Sequence, residues 1–509
     1  MGEEQTHLWS VRMSRGSPRK RSANPVDMEA IAWDAMKKYG FRPQFENAVM
    51  REVAAIEDDT RALFRLGAKD CRNLLWTSID NYDSMDLDQM EYCEREPGGA
   101  IHVYVAIADV DLRVPKGSRT DRHAAFNGSS IYLDVTTFPM LPLKLSAGIT
   151  SLLPGKDCPA MVADYHVEAD GTIRMGTIIR AIVVNHAKLV YEEVGAWLEG
   201  IGPEPGIVRT VPGLAGQIRL QNEAAIRLRQ QRTGQGALDL ETLEAQAIYE
   251  QGEVQELRLI RMNLARSLIE EFMVAANRTM MAFLAEAGVP RIERVVRTPK
   301  NWDGIVLVAA ALGETLPETP DVQALSRFLA VQKAKDPERF PDLSLTVVKL
   351  MGPGEYAMLE PGSPPVGHFA LAVTDYTHGT APNRRYADLV IQRLIKSVLD
   401  KTPVPYTVRE LEDISLWLTD QEKQSKKAER FMRKAAAAVL LRNRIGTTFT
   451  GLVTGASEKG MYVRLIDPPV EGKVIEGDRG LRVGQKIRVR LLSTDPFRGY
   501  IDFAFMSDA

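Results

Sequence analysis

The chemistry of this chain is concentrated in an acidic stretch, TSIDNYDSMDLDQMEY, at residues 77–92. The side chains of interest are Asp80, Asp83, Asp86, Asp88, Gln89 and Glu91. The flanking segments LLWTSI and IHVYVAIAD are rich in β-branched and aromatic residues and predict buried strands. Carboxylates held together on such strands repel one another unless cations lie between them. Oxygen-only ligands favour Mg²⁺ or Mn²⁺, and two such ions about 3.5–4 Å apart can promote the attack of water on a phosphate.

The same stretch has two alternative interpretations, a solvated acidic loop and a calcium-binding loop of the EF-hand type. A run of like charges usually lies at the surface in contact with water, so composition alone leaves the first alternative open. The second is excluded because the ligand spacing is wrong and the obligatory glycine is missing.

The acidic stretch resembles the metal-binding motif TIDxxxxxDxDDA of the ribonuclease II (RNB) family of 3′-to-5′ exoribonucleases. Asp80, Asp86 and Asp88 fall on the first three motif aspartates, and Gln89 stands where the family usually has a fourth. Two longer segments also resemble family elements: FPMLPLKLSAGITSLLPGKD (138–157) and YTHGTAPNRRYADLVIQRLIK (376–396). The resemblance implies that Asp80, Asp86, Asp88 and Gln89 bind Mg²⁺ or Mn²⁺, with two ions during catalysis. The neutral amide of Gln89 is expected to weaken the binding of one ion.

The same resemblance implies roles for side chains elsewhere in the chain. Asp88 and Arg384 would be catalytic, and Arg384 would meet the charge that develops on the attacked phosphate, because a guanidinium binds two oxygens at once. Arg385 is either an RNA contact or the salt-bridge partner of Asp388. The other implied RNA contacts are Tyr132, which would stack on a base, Tyr191, Glu271 and Glu429. A structural ion pair is the alternative for Glu271, and an ordinary exposed helical glutamate is the alternative for Glu429.

From residue 447 the chain changes to short strands separated by glycines, such as TTFTGLVTG and GMYVRLI. Five such strands predict a small barrel of the OB-fold type. The pattern resembles the S1 RNA-binding domain, which implies that Phe449 and Tyr462 present aromatic faces to RNA bases. Stacking of this kind contributes about 1–3 kcal/mol per base without reading the base sequence.

The predicted organisation has four segments. Residues 1–24 form a disordered basic arm, and residues 25–70 form a helical N-terminal domain that resembles a helix-turn-helix. Residues 71–445 form the RNB catalytic domain, and residues 446–509 form the S1-type barrel. The predicted fold class is multidomain α+β, with a mixed sheet surrounded by helices in the catalytic domain. The N-terminal helices either bind nucleic acid or pack on the catalytic domain.

Composition limits the cellular setting and the partners. The chain has 509 residues, 45% of them apolar, and a net charge of −3, so a nucleic-acid surface must come from segregated charge. No run approaches the roughly 18–20 apolar residues that span a bilayer. The scattered Cys71, Cys93 and Cys158 are typical of reduced packing residues in a cytoplasmic protein. We therefore expect a cytoplasmic monomer that acts on RNA and does not contact membranes.

The sequence thus predicts a metal-dependent hydrolytic exoribonuclease that degrades single-stranded RNA from the 3′ end to nucleoside 5′-monophosphates, in RNA turnover or processing. One alternative is an RNA-binding protein built on a nuclease fold, with catalysis weakened by Gln89. Another is a DNA-binding regulator that uses the N-terminal helices, which would leave the catalytic motifs without a purpose.

Overall fold

The computed structural model describes residues 26–58, 67–241, 244–250, 253–260, 262–457 and 460–509 of the chain. The basic arm predicted at residues 1–24 lies outside these ranges. The described residues form a helix-covered mixed sheet and a C-terminal β-barrel, so the predicted α+β fold class is confirmed.

A mixed sheet forms the centre of the region predicted to be catalytic, residues 71–445, which we call the catalytic region. The first nine strands along the chain are β1 (Lys69–Asp70), β2 (Thr77–Asp80), β3 (Gln89–Arg95), β4 (Ile101–Ala108), β5 (Ile131–Tyr132), β6 (Thr137–Phe138), β7 (Asp157–Val167), β8 (Ile173–Val184) and β9 (Ala187–Val190). Strands β5 and β6 form a separate hairpin, and the other seven join one sheet in the order β1-β8-β7-β4-β3-β2-β9. The outer pairs β1–β8 and β2–β9 are parallel, and the inner pairs are antiparallel.

Helices surround this sheet and connect it to the barrel. Those of the described ranges are α1 (Met28–Lys38), α2 (Asn47–Ala54), α3 (Arg119–Asn127), α4 (Tyr191–Leu198), α5 (Gly206–Thr210), α6 (Leu214–Gly234), α7 (Leu264–Glu286), α8 (Trp302–Ala311), α9 (Val322–Lys335), α10 (Phe340–Met351), α11 (Tyr386–Asp400) and α12 (Val408–Leu441). A π-helix lies at Leu145–Ile149, and 3₁₀ turns lie at Phe369–Leu371 and Arg442–Arg444. No helix within the described ranges is both long and apolar enough to cross a membrane.

The inner strands are buried because their sequences are largely apolar. In β4, with the sequence IHVYVAIA, Val103, Val105 and Ile107 are fully enclosed. Helix α6 packs against β3, and α7 packs against β7 and β8, where it contributes the buried Phe272. The sheet edges and the loops between strands are consequently the places where polar side chains can gather.

The two N-terminal helices bury their apolar faces in different places. Helix α1, capped by the side chain of Asp27, packs against α12 and sets Trp33 edge-on to Phe138 with ring centroids 5.5 Å apart. Helix α2 packs against α3 and contributes Val49 and Val53 to the core of the catalytic region. Each helix thus has its own docking position on the rest of the chain.

Helix α12 spans 34 residues and joins the catalytic region to the barrel. It begins with a capping box in which Thr407 and Glu410 exchange hydrogen bonds, satisfying donors that the helix itself cannot pair. Ala428 and Met432 pack in the cluster that contains α1. Its last turns contribute Leu441 to the core of the barrel, so one continuous helix supports both regions.

The C-terminal barrel closes on itself and leaves no free sheet edge. The later strands are β10 (Glu244–Glu250), β11 (Glu253–Ile260), β12 (Arg291–Val295), β13 (Glu355–Leu359), β14 (Thr448–Ser457), β15 (Gly460–Leu465), β16 (Glu471–Glu476), β17 (Lys486–Asp495) and β18 (Tyr500–Asp508). Strands β10 and β11 pair as one hairpin, and β12 pairs with β13. The last five strands form a closed barrel in the order β14-β15-β16-β18-β17, which confirms the predicted five-stranded barrel.

Candidate active site

The acidic stretch lies at one end of the strands of the central sheet, between the end of β2 and the start of β3. Asp80 is the last residue of β2, and Asp88 directly precedes β3. The intervening loop is fixed by Ser151, whose hydroxyl donates to the carbonyl of Met85 (2.6 Å) and accepts from the N–H of Leu87 (3.0 Å). The aspartates are therefore held in place by a main chain that is itself anchored.

Asp88 is the most enclosed of these aspartates, with 1% of its surface exposed. Its Oδ1 accepts a hydrogen bond from the N–H of Asn383 (2.8 Å), and its Oδ2 accepts from Nε of Arg384 (3.3 Å). Asn383 is in turn held by the hydroxyl of Thr150, which donates to its Oδ1 (2.6 Å). The loop before α11 thus brings a backbone donor and a guanidinium to Asp88, although these residues are far apart in sequence.

These carboxylates are buried with few positive charges near them. Burial raises the pKa of both Asp80 and Asp88 to about 7, with Arg384 opposing the rise and Asp86 adding to it. Burial, together with the charge of Asp80, raises the pKa of Glu91 well above its usual value. Oδ2 of Asp80 and both carboxylate oxygens of Glu91 are buried without a hydrogen-bond partner among the described residues. We call Asp80, Asp86, Asp88 and Glu91 the acidic edge.

The donor set of the acidic edge fits hard divalent cations. Every candidate ligand is a carboxylate or amide oxygen, which Mg²⁺ and Mn²⁺ prefer, and the orphaned oxygens of Asp80 and Glu91 lack only a positive partner. The carboxylates of Asp80, Asp86 and Asp88 do not all approach within 4.8 Å of one another.

Gln89 and Glu91 occupy successive inward-facing positions of β3. Side chains two residues apart on a strand share a face, and both of these are buried. Glu91 is paired in register with Thr77, whose hydroxyl oxygen is also unpartnered within the described part of the chain. The neutral Gln89 is therefore accompanied by a carboxylate two residues on. Glu91 was visible as part of the acidic stretch of the sequence, but its burial was not foreseen, because β3 also carries the polar Gln89, Glu94 and Arg95.

The two adjacent arginines of the loop before α11 have different environments. Arg385 is paired with Asp388 through two hydrogen bonds, from Nε (2.8 Å) and Nη2 (2.7 Å), and the same carboxylate accepts from the N–H of Ala381 (2.7 Å). Arg384 contacts the acidic edge through Nε alone, and 44% of its side chain is exposed. Its terminal nitrogens have no described protein partner and are available to a ligand.

A cavity of about 270 Å³ lies in front of Arg384. Its wall combines residues from the β5–β6 hairpin, from α12 and from the loop before α11, which we call the arginine loop. These residues include Tyr132, Arg384, Arg385, Ser425 and Glu429. The hydroxyl of Tyr132 donates to Oδ2 of Asp86 (2.6 Å), and 45% of Tyr132 is exposed. Glu429 accepts from the hydroxyl of Ser425 (2.8 Å). Four of the side chains singled out from the sequence therefore meet at one cavity beside the acidic edge.

Tyr191 and Glu271 do not line this cavity, and they differ in their contacts. Tyr191 begins α4, and the guanidinium of Arg266 lies 4.5 Å from its ring centroid. Burial and the charges of Asp80 and Glu91 raise the pKa of Tyr191. Glu271 instead forms a two-point ion pair with Arg232 (2.6 and 2.9 Å) and lines a separate cavity of about 280 Å³.

Of the two barrel residues predicted to stack on RNA bases, the structure places one in the barrel core. Phe449 is only 6% exposed, belongs to the barrel core and is covered by the guanidinium of Arg444 (4.6 Å), so it offers no open face to a base. Strand side chains alternate between the two faces, and Phe449 falls on the inner one. Tyr462 lies on the outer side, with the ammonium of Lys434 5.8 Å from its ring centroid.

Tyr462 lines a cleft of about 550 Å³ between α1, α12 and the barrel. We call it the aromatic cleft; its rings and cationic groups are Tyr39, Phe431, Tyr462, Tyr500, Lys427, Arg430, Lys434, Lys473 and Arg498. Of its aromatic rings, sequence reasoning found only Tyr462, because the cleft is assembled from three separate segments. Exposed Tyr500, next to buried Ile501 on β18, was the signal available in the sequence.

Comparison with known proteins defines the class and then the family. The RNB domain matches residues 68–401, and the RNase II-type exonuclease C-terminal S1 domain matches residues 447–505. These matches define a nuclease that acts on RNA with an attached RNA-binding barrel. The chain belongs to the RNB family and is a hydrolytic 3′-to-5′ exoribonuclease, so the resemblance drawn from the motifs is confirmed. Enzymes of this family depend on divalent metal ions.

The chain resembles relatives and solved structures over most of its length. It is 29% identical over 502 residues to Ribonuclease R of Thermotoga maritima, covering 91% of this chain and 68% of that protein. The structure of Mycoplasma genitalium RNase R in complex with ribose-methylated single-stranded RNA has a TM-score of 0.85 at 23% identity, covering 94% of this chain and 78% of that one. Yeast Ssd1, a pseudonuclease, has a TM-score of 0.64 at 17% identity, covering 87% and 55%. These structures show the shared fold.

Proposed function

We propose that this exoribonuclease degrades single-stranded RNA, using two Mg²⁺ or Mn²⁺ ions held by Asp80, Asp86 and Asp88, and releases nucleoside 5′-monophosphates. The observation that carries the proposal is the environment of Asp88. Its carboxylate is removed from water, yet it is held by one backbone N–H and one guanidinium beside the orphaned oxygen of Asp80. Such an arrangement is expensive unless cations complete it.

Bound divalent ions supply a water of lowered pKa and neutralise charge on the phosphate under attack. The residues of the chain orient the reacting groups around that chemistry. Asp88 fixes Arg384 through Nε, which leaves the terminal nitrogens directed to the cavity. There they would bind two oxygens of the terminal phosphate and stabilise its developing charge.

The RNA strand would run from the aromatic cleft to the acidic edge along α12. Helix α12 contributes Lys427, Arg430 and Lys434 to the cleft and Glu429 to the cavity in front of Arg384. The lysines and arginine would follow the phosphates, and Tyr462 would stack on a base without reading its identity. A mobile single strand fits such a path because its bases are free to unstack.

At the 3′ end, Tyr132 and Tyr191 would contact the last bases. Glu429 would accept hydrogen bonds from the ribose, a role that its position in the cavity wall supports. Arg385 would act on the RNA indirectly, by holding the arginine loop through Asp388. The contact proposed for Glu271 would require it to leave Arg232, so we assign Glu271 to the support of α7 against α6.

The division at residues 25–70, 71–445 and 446–509 is also a proposal. Helices α1 and α2 would serve as a cover, since both bury their apolar faces on the rest of the chain. Tyr39, the residue directly after α1, also lines the aromatic cleft and would thereby contact RNA. We propose a monomer, because the wall of the active site is complete within one chain, and a cytoplasmic location, because all three cysteines are unpaired thiols.

The second candidate is an RNA-binding protein with weak or no catalysis. The observation that favours it is Gln89, which removes one negative charge from the motif. The structural likeness to a pseudonuclease shows that this fold also occurs without nuclease activity. The acidic edge argues against it, because Glu91 restores a buried carboxylate two residues further along β3.

The experiment that separates the two candidates follows the digestion of a 5′-labelled single-stranded RNA. The proposal predicts a ladder that shortens from the 3′ end and accumulation of nucleoside 5′-monophosphates with Mg²⁺ or Mn²⁺. A chelator should abolish hydrolysis and leave binding intact. The matched single-stranded DNA should be cut poorly, because only RNA offers a 2′-hydroxyl. Tight binding of RNA without products at any concentration of either ion would support the RNA-binding candidate instead.

A further inference from the structure

Three potential metal ligands gather at the end of the sheet opposite the acidic edge. Glu96 follows β3, His102 lies near the start of β4, and His166 lies near the end of β7. His102 and His166 are direct cross-strand partners. At the other end of β4, Ala108 donates its N–H to the carbonyl of Asp88. At about 3.3 Å per strand residue, the histidines are about 20 Å from the acidic edge.

The geometry of this cluster approaches that of a first coordination sphere. Glu96, His102 and His166 each offer one ligand atom, and these atoms lie within 4.8 Å of one another. The two imidazole rings are stacked, with centroids 4.0 Å apart and planes 25° apart. Ligand atoms around a tetrahedral Zn²⁺ are about 3.3 Å apart, so small side-chain rotations would bring the three together.

The ring nitrogens are in the condition that a metal ligand requires. Nε2 of His102 and Nδ1 of His166 are buried, and neither has a hydrogen bond of good geometry within the described residues. The other nitrogen of His102, Nδ1, lies 2.9 Å from the hydroxyl of Tyr104. If Nδ1 carries the ring proton and donates it to that hydroxyl oxygen, the lone pair of Nε2 is free to bind a metal. Oδ2 of Asp164 lies 3.3 Å from the same Nε2 and is the protein group that would compete with a metal for it.

We propose that Glu96, His102 and His166 bind one transition-metal ion of the Zn²⁺ or Cu²⁺ class, separately from the ions of the acidic edge. Imidazole nitrogen selects such ions, whereas the oxygen-only acidic edge selects Mg²⁺ or Mn²⁺. The ion would tie the turn after β3 to β4 and β7. Binding to the folded state alone would stabilise this end of the sheet.

The simpler alternative is a pair of histidines bonded to carboxylates, since Nδ1 of His166 lies 2.9 Å from Oε1 of Glu96. Electron paramagnetic resonance of Cu²⁺ separates the metal site from this alternative. The full chain, without a polyhistidine tag, is titrated in excess Mg²⁺, which occupies the oxygen-only site. We expect one Cu²⁺ per chain with nitrogen superhyperfine splitting, and we expect Zn²⁺ to displace it. No saturable signal with this splitting would overturn the proposal.

Variants then locate the ion. Affinity for Zn²⁺, measured by calorimetry, should fall at least about ten-fold in His166→Gln and in Glu96→Gln. The matched control is Glu94→Gln, because Glu94 pairs in register with His102 but bonds the hydroxyl of Tyr92. Its Zn²⁺ affinity should be unchanged.

Glu96→Gln leaves both imidazole rings in place, and Glu96 lies in the turn after β3. This variant therefore tests the metal site even if a histidine variant folds poorly. Zn²⁺ should raise the melting temperature of the wild type and of Glu94→Gln but not that of Glu96→Gln. Hydrolysis of RNA with Mg²⁺ should be the same in all of them. Retention of the nitrogen splitting in the His102→Gln/His166→Gln double variant would place the ion elsewhere and overturn the assignment.

Discussion

The acidic edge and the aromatic cleft both lie on the RNA path that we propose, yet they are built in opposite ways. Asp88 and Glu91 are withdrawn from water, and Oδ2 of Asp80 and both carboxylate oxygens of Glu91 have no hydrogen-bond partner among the described residues. Tyr462 and Tyr500 in the aromatic cleft stay accessible, among solvated lysines and arginines. Buried charge without compensation is unstable, so the acidic edge is organised for chemistry, whereas the cleft adds many small contacts. Substitutions should therefore be severe at the first and mild at the second.

The largest effect should come from Asp88→Asn. This change removes a buried charge between the proposed ions and Arg384 but keeps the shape of the side chain. Hydrolysis of single-stranded RNA should fall by orders of magnitude while the dissociation constant stays within a few-fold, because affinity comes from phosphate and stacking contacts elsewhere. Single-turnover rates and filter binding measure the two quantities. The control is Asp83→Asn in the same loop, which changes an exposed residue. Near-normal trimming by Asp88→Asn would rule out its role.

Substitution of Arg384 should mainly lower activity, whereas substitution of the neighbouring Arg385 should mainly lower stability. Arg384→Ala should lower the turnover number by about 10²–10³, the effect of losing one donor to the developing charge. It should lower the melting temperature less than Arg385→Ala does, because the Arg384 side chain is 44% exposed and reaches Asp88 through one bond of 3.3 Å. Arg385→Ala leaves the carboxylate of Asp388 buried and unpaired, so it should destabilise the fold by about 3–5 kcal/mol. Thermal unfolding and kinetics on the same preparations make the comparison. Equal loss of activity at unchanged stability in both variants would contradict this division.

The stability of the chelated protein should depend on pH through the acidic edge. Because the pKa values of Asp80 and Asp88 are raised to about 7, the folded state binds protons that the unfolded state releases above its ordinary pKa near 4. Stability from these groups is therefore full at low pH and is lost as pH rises through about 7. Melting temperatures with chelator should fall between about pH 5 and pH 8, and Mg²⁺ should restore more at pH 8.

The Asp80→Asn/Asp88→Asn double variant is the control for that pH dependence. Asn has no proton to gain or lose, so the fall between the two pH values should be smaller than in the wild type. An identical fall in both proteins would assign the pH dependence to other groups.

Within the barrel, Tyr462→Ala and Phe449→Ala should separate in the same manner as the two arginines. Tyr462→Ala should weaken RNA binding by about 1–3 kcal/mol, the contribution of one stacked base, without affecting folding. Phe449→Ala should destabilise the barrel by about 3–5 kcal/mol, because it opens a cavity in the core. Binding titrations and the unfolding of both variants test this. Weaker RNA binding by Phe449→Ala at unchanged stability would indicate that Phe449 is an RNA contact on the barrel surface and not a core residue.

How far the sequence predicted this molecule depends on whether a feature is local. Asp80, Asp86 and Asp88 could be grouped because they are close in the chain, and Arg384 because its loop carries a distinctive motif. The stacking role predicted for Phe449 does not agree with its burial in the barrel core. Successive side chains of a strand point to opposite faces, and the motif did not determine which face is the inner one. The pairing of His102 with His166, and the meeting of three segments at the aromatic cleft, depend on strand register and helix docking that no local pattern contains.

The smallest effect, and the one that best tests the acidic edge, concerns Gln89. An amide oxygen can ligate a hard cation but brings no charge, so it should bind an ion more weakly than a carboxylate does. Gln89→Asp should therefore lower the Mg²⁺ concentration at half-maximal activity by a few-fold without changing the products. Glu91→Gln should raise it, because Glu91 is a carboxylate on the same face of β3 that is buried and has no partner among the described residues. Magnesium titrations of the wild type and both variants on one RNA decide the matter. Curves that overlap for Gln89→Asp but shift for Glu91→Gln would show that Glu91 already supplies the missing charge.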